Sequence, residues 1–227
     1  MRTLTVVFDL DGTLVDSAPD LTAALNVVLS GAGLPTLAYE SARTMVGGGA
    51  RVMVERGLKA NGRTLPPAEI DRMERDFIAY YADHIAVDSR PFHGVEAALD
   101  ELAVSGCHLA VCTNKLEWLS LRLLDALDLT RRFRAICGAD TFGVSKPDPQ
   151  ILRGTIDRAG GDTTRAIMIG DSMTDIATAR ATGIPIIAVD FGYTDVPIET
   201  LGPDRVVSAF AELPEAISRR SNQWRTA

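Results

Sequence analysis

Cysteine is scarce in this chain of 227 residues, with three copies at Cys107, Cys112 and Cys137. Three scattered thiols build neither a disulfide framework nor a zinc site with paired spacing. Cys112 lies inside an apolar run and reads as an inert buried thiol. Long hydrophobic runs are missing too: nothing approaches the roughly 18 uninterrupted apolar residues of a membrane span. Met1-Arg2-Thr3 leads straight into a strand-like run without the pattern of a secretory leader, so a cytoplasmic location is the expectation. Positive charge is in deficit, with 23 basic against 30 acidic residues and a net charge of −7. That balance argues against a broad nucleic-acid surface. The locally basic stretch from Arg219-Arg220 to Arg225 reads as a solvated chain end. Internal repeats and low-complexity segments are absent.

What is present is an ordinary core, 46% hydrophobic, in a length that suits one large domain or a core with a small companion. Its strand candidates are short apolar runs at Val6–Phe8, Leu109–Cys112, Ala135–Cys137, Ala166–Ile169 and Ile186–Val189. None alternates with polar residues, as expected of parallel strands covered on both faces. Helical spacing lies between them, in Val95, Ala98, Leu99 and Leu102 and again in Leu116, Leu119, Leu123 and Leu127. The alternation predicts an α/β fold with a doubly wound, mostly parallel, Rossmann-like sheet. The gap from Asp9 to Leu109 far exceeds the roughly 30 residues of a simple crossover. Its stripes are helical: Leu21, Ala24, Leu25, Val28 and Leu29, then Ile70, Met73, Phe77 and Tyr80. Residues 17–87 therefore read as a helical cap inserted after the first strand, with 1–16 and 88–227 as the catalytic core. Hinges are expected near Asp16–Ala18 and Ser89–Pro91.

The first run ends in Asp9-Leu10-Asp11-Gly12-Thr13-Leu14. Residues i and i+2 of a strand point to opposite faces, but Gly12 permits a turn that redirects both acids toward one point. Two anions beside an apolar strand are costly unless a cation or protonation relieves them. Other polar signals follow other strands: Thr113-Asn114-Lys115, and Gly170-Asp171-Ser172 with Asp175 beyond. The i, i+4 spacing is read as placing Asp171 and Asp175 on one face at a helix start. Lys146-Pro147-Asp148-Pro149 precedes another helix. Singly, Thr113 or Asp171 reads as a helix cap and Lys146 as a surface charge. Together they collect three acids, a threonine and a lysine at the end of a sheet where α/β folds bind ligands.

These residues make the chain resemble the haloacid dehalogenase-superfamily phosphatases with an inserted helical cap, over essentially its whole length. Asp9 to Leu14 matches that family's first motif, Thr113-Asn114 the second, Lys146-Pro147 the third, and Gly170-Asp171-Ser172-x-x-Asp175 the fourth. The resemblance implies Mg²⁺ as cofactor, held by the carboxylates of Asp9 and Asp171 and the backbone carbonyl of Asp11, with Asp175 orienting the metal waters or Lys146. It implies Asp9 as the nucleophile of an aspartyl-phosphate intermediate, and Asp11 as acid and then base. The amides of Leu10 and Asn114, the Thr113 hydroxyl and the Lys146 ammonium would hold the phosphoryl oxygens.

Asp11 favours phosphate transfer, since the dehalogenase branch lacks an acid there. Hexose-phosphate mutases share that acid but usually carry Val where this chain has Thr13. Met45 to Arg51, Thr113-Asn114-Lys115 and Phe191-Gly192-Tyr193-Thr194 together resemble the phosphoglycolate phosphatases. That likeness implies hydrolysis of the small phosphomonoester 2-phosphoglycolate, with Gly47, Gly49 and Arg51 in contact with it and Arg51 pairing its carboxylate. A plain helix–helix turn is an equal reading of the glycine loop. Other small phosphates (N-acetylmuramate 6-phosphate, nucleotides, pyrophosphate) and a catalytically silent binding module stay open. Neither a nucleic-acid nor a membrane partner is expected, and no oligomeric state is specified. His93, where relatives often have Pro before Gly94, reads as a loop or hinge residue. Trp118 and Met173 read as packing residues.

Overall fold

A computed structural model describes residues 3–223, with side chains through residue 218. The basic side chains of Arg219, Arg220 and Arg225, read as a solvated end, fall outside that description. In chain order come β1 (Thr5–Phe8), β2 (Val15–Asp16), α1 (Ala18–Gly31), α2 (Tyr39–Arg43), α3 (Ala50–Ala60), α4 (Pro67–Asp83) and β3 (Arg90–Pro91). After them come α5 (Val95–Val104), β4 (His108–Cys112), α6 (Glu117–Ala126), β5 (Ala135–Cys137), α7 (Pro149–Arg158) and β6 (Ala166–Gly170). The chain ends in α8 (Met173–Thr182), β7 (Ile186–Val189), β8 (Arg205–Val207) and α9 (Leu213–Gln223).

Six strands form one sheet in the order β5-β4-β1-β6-β7-β8. Every neighbouring pair in it is parallel. The chain winds outward from β1 through β4 to β5, then crosses back to β6 on the other side. This reversal puts β1 at the switch point, where the carboxyl ends of β1, β4 and β6 open a crevice. All five expected runs are strands. The sixth, β8, is short and begins at half-buried Arg205, which hid it from a search for apolar runs.

Burial on two faces explains the lack of polar alternation. Val6, Phe8, Leu109, Val111, Ile167 and Ile169 join the apolar cluster that includes α1, α5 and α6. Their neighbours Val7, Ala110, Cys112 and Met168 join Ile151, Leu152, Ile156 and Ile176 of α7 and α8 on the opposite side. The period of two along each strand assigns these faces.

Between β2 and β3 stand the four helices α1 to α4. In α1 the whole expected stripe is buried. In α4 the stripe turns by one residue at its end: Tyr81 is buried, whereas Tyr80 is half-buried and stacks on His84 with ring centroids 4.0 Å apart. Both i+3 and i+4 from Phe77 lie on one helix side, so spacing alone does not choose between them. The two passages of chain into and out of these helices pair with each other as antiparallel β2 and β3, with Asp16 opposite Arg90. Asp20, in the first turn of α1, accepts from the Ser89 amide at 2.9 Å and the Ser89 hydroxyl at 2.6 Å. The expected hinge positions thus lie on a hydrogen-bonded ribbon rather than in loose linkers. Leu14, Ala18 and Leu21 belong to the same apolar cluster as the sheet face, so apolar packing continues into the inserted helices.

His93 is exposed in the loop before α5. Trp118 and Met173 are also exposed, at 45% and 49%, which corrects their reading as packing residues. Both lie in the first turn of their helices (α6 and α8), where spacing does not fix a buried side. Among the described residues, no helix is long and apolar enough to cross a membrane.

Candidate active site

The turn after β1 is held by the Gly12 amide, which donates to Val15 O at 3.0 Å. Gly12 has φ +84°, and a Cβ there would lie 2.4 Å from Asp171 Oδ2. Glycine is needed twice over, for the left-handed backbone and for the approach of a carboxylate. The result brings Asp9 and Asp11 to the wall of one cavity despite their i, i+2 spacing.

One carboxylate oxygen from each of Asp9, Asp171 and Asp175 lies within 4.8 Å of the other two, and all three residues are buried. Asp175 is consumed by four protein donors: Oδ1 takes Lys146 Nζ at 2.6 Å, and Oδ2 takes the Ser172 hydroxyl at 2.6 Å and the amides of Ser172 at 3.1 Å and Asp171 at 3.3 Å. Asp171 accepts the Thr13 hydroxyl at 2.9 Å and the Tyr193 amide at 2.9 Å. Asp171 does not share a helix face with Asp175. It precedes the N-cap Ser172 of α8, and Asp175 completes a capping box at that end. The two carboxylates meet because a strand end turns into a helix, a geometry that i, i+4 counting does not describe.

Burial, then repulsion from Asp175, pushes the Asp9 and Asp171 carboxyls well above the ordinary aspartate range. Lys146 offsets part of this, 2.8 Å from Asp9 Oδ1. Burial alone would lower the Lys146 ammonium, but Asp175 and Asp9 together hold it above the ordinary lysine value. A buried set of hard oxygen donors with excess negative charge fits a small divalent cation such as Mg²⁺. Asp9 and Asp171 are the pair available to it, with Asp175 fixing Lys146 and the start of α8.

Asn114 locks the lysine loop: its side chain donates to Lys146 O at 3.0 Å and accepts from Lys146 N at 2.8 Å. Sequence reading gave Asn114 only a backbone role. Buried Thr113 follows β4 and lines the cavity, and its hydroxyl accepts the Lys115 amide at 3.2 Å. The Leu10 amide is turned onto Asp9 Oδ1 at 2.6 Å. Asp9 Oδ2 has no hydrogen-bond partner among the described residues.

Asp11 stands with Ser17, whose hydroxyl donates to Oδ1 at 2.5 Å, and with Lys115, whose Nζ is 3.1 Å from Oδ2. The cavity measures about 360 Å³ and is closed on one side by residues of α3 and α4. Gly47, Gly48 and Gly49 line it, all with positive φ, and a Cβ on Gly49 would meet Asn114 O at 3.2 Å. The glycine loop is thus both a turn before α3 and a close contact with the core. Arg51 lines the same cavity, but its guanidinium is taken by Glu55 at 3.2 Å, Asp71 at 2.5 Å and Glu74 at 3.2 Å. It is not presented as a free partner for a substrate carboxylate, because three acids on α3 and α4 neutralise it. Thr13, Lys115 and Tyr193 are site residues to which sequence reading gave no role of their own. The sign of Lys115 was its place directly after Thr113-Asn114.

The family model described as haloacid dehalogenase-like hydrolase matches residues 6–189. The chain belongs to this family and is an enzyme of the hydrolase class. Within it, the chain is 49% identical over 215 residues to a phosphoglycolate phosphatase of Mesorhizobium japonicum, covering 95% of each. It is 48% identical over 211 residues to the protein of that name from Agrobacterium fabrum, covering 93% of this chain and 91% of the relative. The crystal structure of a predicted phosphoglycolate phosphatase from Haemophilus somnus superposes with a TM-score of 0.88 at 28% identity, covering 95% of this chain and 98% of that one.

Proposed function

We propose that the protein is a Mg²⁺-dependent phosphomonoesterase that converts 2-phosphoglycolate to glycolate and phosphate through an aspartyl-phosphate on Asp9. The observation that carries this reading is the meeting of Asp9 with Asp171 and Lys146, while one Asp9 oxygen is left without a protein partner. Relatives named phosphoglycolate phosphatase, at up to 49% identity, supply the substrate. Residues 17–87 serve as the cap and residues 1–16 and 88–227 as the core.

In this reading Asp9 attacks phosphorus and the bond to the ester oxygen breaks. Asp11 gives its proton to that oxygen, then takes one from the water that attacks the phosphoryl group and frees Asp9. Such acid–base help is worth about 10²–10⁴-fold. Lys146, the Thr113 hydroxyl and the amides of Leu10 and Asn114 hold the phosphoryl oxygens as charge spreads over them. Asp9, Asp171 and the Asp11 carbonyl would hold Mg²⁺, which would supply the positive charge that lets a carboxylate approach a dianion. Opening of the cap turns at the β2–β3 ribbon and parts Arg43 of α2 from the carbonyls of Phe191 and Gly192, and Tyr81 of α4 from Lys115. A cytoplasmic location belongs to the same proposal, supported by three free cysteines.

The test is a panel of kcat/KM values for 2-phosphoglycolate, sugar phosphates, nucleotides and pyrophosphate with Mg²⁺, alongside Asp9→Asn. 2-Phosphoglycolate is expected to rank first and the folded variant to lose turnover. A folded Asp9→Asn protein that kept most of its activity would remove the nucleophile. A low rank for 2-phosphoglycolate would remove the substrate and leave the chemistry.

A further inference from the structure

We propose that Lys115 determines specificity by receiving the substrate's carboxylate, in a subsite that the core and α4 build together. This rests on the phosphomonoesterase reading and deepens it. The Lys115 side chain is 5% exposed and lines the cavity. Its Nζ lies 3.1 Å from Asp11 Oδ2, 3.3 Å from the Tyr81 hydroxyl, and 4.4 Å from the centre of the Tyr81 ring. An ammonium carries three donors, so one N–H remains beyond these two contacts. Desolvation strengthens the attraction of such a cation for an anion.

Position selects the ligand's chemistry. Asp11 is the residue that serves the ester oxygen, and Lys115 sits against Asp11. A group two bonds beyond the ester oxygen therefore falls beside Lys115, and in 2-phosphoglycolate that group is the carboxylate. The other cations of the lining face two or more acids or are exposed, whereas buried Lys115 faces one. Lys146 lies between Asp9 and Asp175. Arg51 faces three acids. Exposed Arg56 braces the glycine loop through Met45 O at 2.9 Å and Gly47 O at 3.1 Å. Tyr81 belongs to α4, so the subsite is complete only with the inserted helices over the core. Burial, Asp11 and Asp20 hold the Tyr81 hydroxyl well above the ordinary tyrosine value, so it stays neutral beside the ammonium.

The experiment compares 2-phosphoglycolate with ethyl phosphate, which has the same two-carbon ester but no carboxylate. Wild-type protein with Mg²⁺ is expected to prefer 2-phosphoglycolate by about 100-fold in kcat/KM, the worth of one hydrogen bond between charged partners. Lys115→Met is expected to bring that ratio near one, chiefly through KM for 2-phosphoglycolate, and Lys115→Arg to retain most of it. A methionine variant whose ratio stays within about threefold of wild type would overturn the assignment. If the methionine variant does not fold, Lys115→Gln takes its place under the same criterion. Wild-type protein that cleaves both esters equally well removes the subsite and leaves the phosphomonoesterase. Wild-type protein that releases phosphate from neither removes both.

Discussion

The Tyr193 hydroxyl donates to Asp16 Oδ1 at 2.7 Å. The same residue offers its backbone amide to Asp171, so one residue ties the β2 strand to the carboxylate cluster. Its hydroxyl also accepts the Ala18 amide at 3.0 Å, and Arg43 of α2 lies over its ring, 5.0 Å from the centre. Tyr193→Phe keeps the ring and the backbone contact but removes the hydroxyl bonds to Asp16 and Ala18 and a longer one to Val15 O at 3.5 Å. The expected loss is about 2 kcal/mol of unfolding free energy, read as a lowered denaturant midpoint at unchanged slope. A midpoint equal to wild type would show that the hydroxyl contributes nothing.

Lys146→Met strands two buried carboxylates, Asp9 and Asp175, by removing the cation between them. Breaking a buried pair from one side costs about 3–5 kcal/mol, which a melting curve measures. Loss of a donor to the transferring group should lower kcat by about 10²–10³-fold. A variant that folds and turns over normally would place the phosphoryl group elsewhere.

Rising pH and metal should act on stability in opposite directions. Burial and Asp175 raise Asp9 and Asp171 in the folded state, so the metal-free fold holds protons that the unfolded chain has released. That stabilisation is complete below the ordinary aspartate value and is lost as pH rises through the raised folded values. With chelator present, the melting temperature should therefore fall between about pH 5 and pH 8. Excess Mg²⁺ should reverse the fall by binding the ionised pair. A melting temperature that Mg²⁺ leaves unchanged at the upper end would contradict the cation site.

Gly12→Ala meets two penalties, a left-handed backbone and a Cβ 2.4 Å from Asp171 Oδ2. The turn must shift, and Asp171 with it. The expected outcome is at least a tenfold weaker apparent Mg²⁺ affinity, read from the metal dependence of the melting temperature. Equal affinities in variant and wild type would deny that this turn sets the carboxylate.

Much of the site was legible because its polar residues follow apolar runs, and a run's end is visible in sequence. Asp9, Thr113 and Asp171 are all of this kind. Less visible were contacts set by tertiary approach, such as Thr13 with Asp171, 158 positions apart. Periodicity reports which side of an element turns inward, not what it meets there. Arg51 shows the same limit, since its acidic partners on α4 come from a stripe read only for its apolar members. Tyr81 was passed over for Tyr80 because both suit the helical period. The six-stranded order was foreseeable in kind, yet half-buried Arg205 concealed the edge strand.

The paired connectors β2 and β3 carry a last implication, for how such a protein changes over generations. The inserted helices leave and rejoin the sheet at adjacent points, with Val15 opposite Pro91. A segment whose ends already touch can be lengthened, trimmed or replaced at little cost in loop closure. Strand register, and with it the clustered acids, need not follow such a replacement. New selectivity can thus be grafted through a single narrow neck while the chemistry beneath is inherited intact.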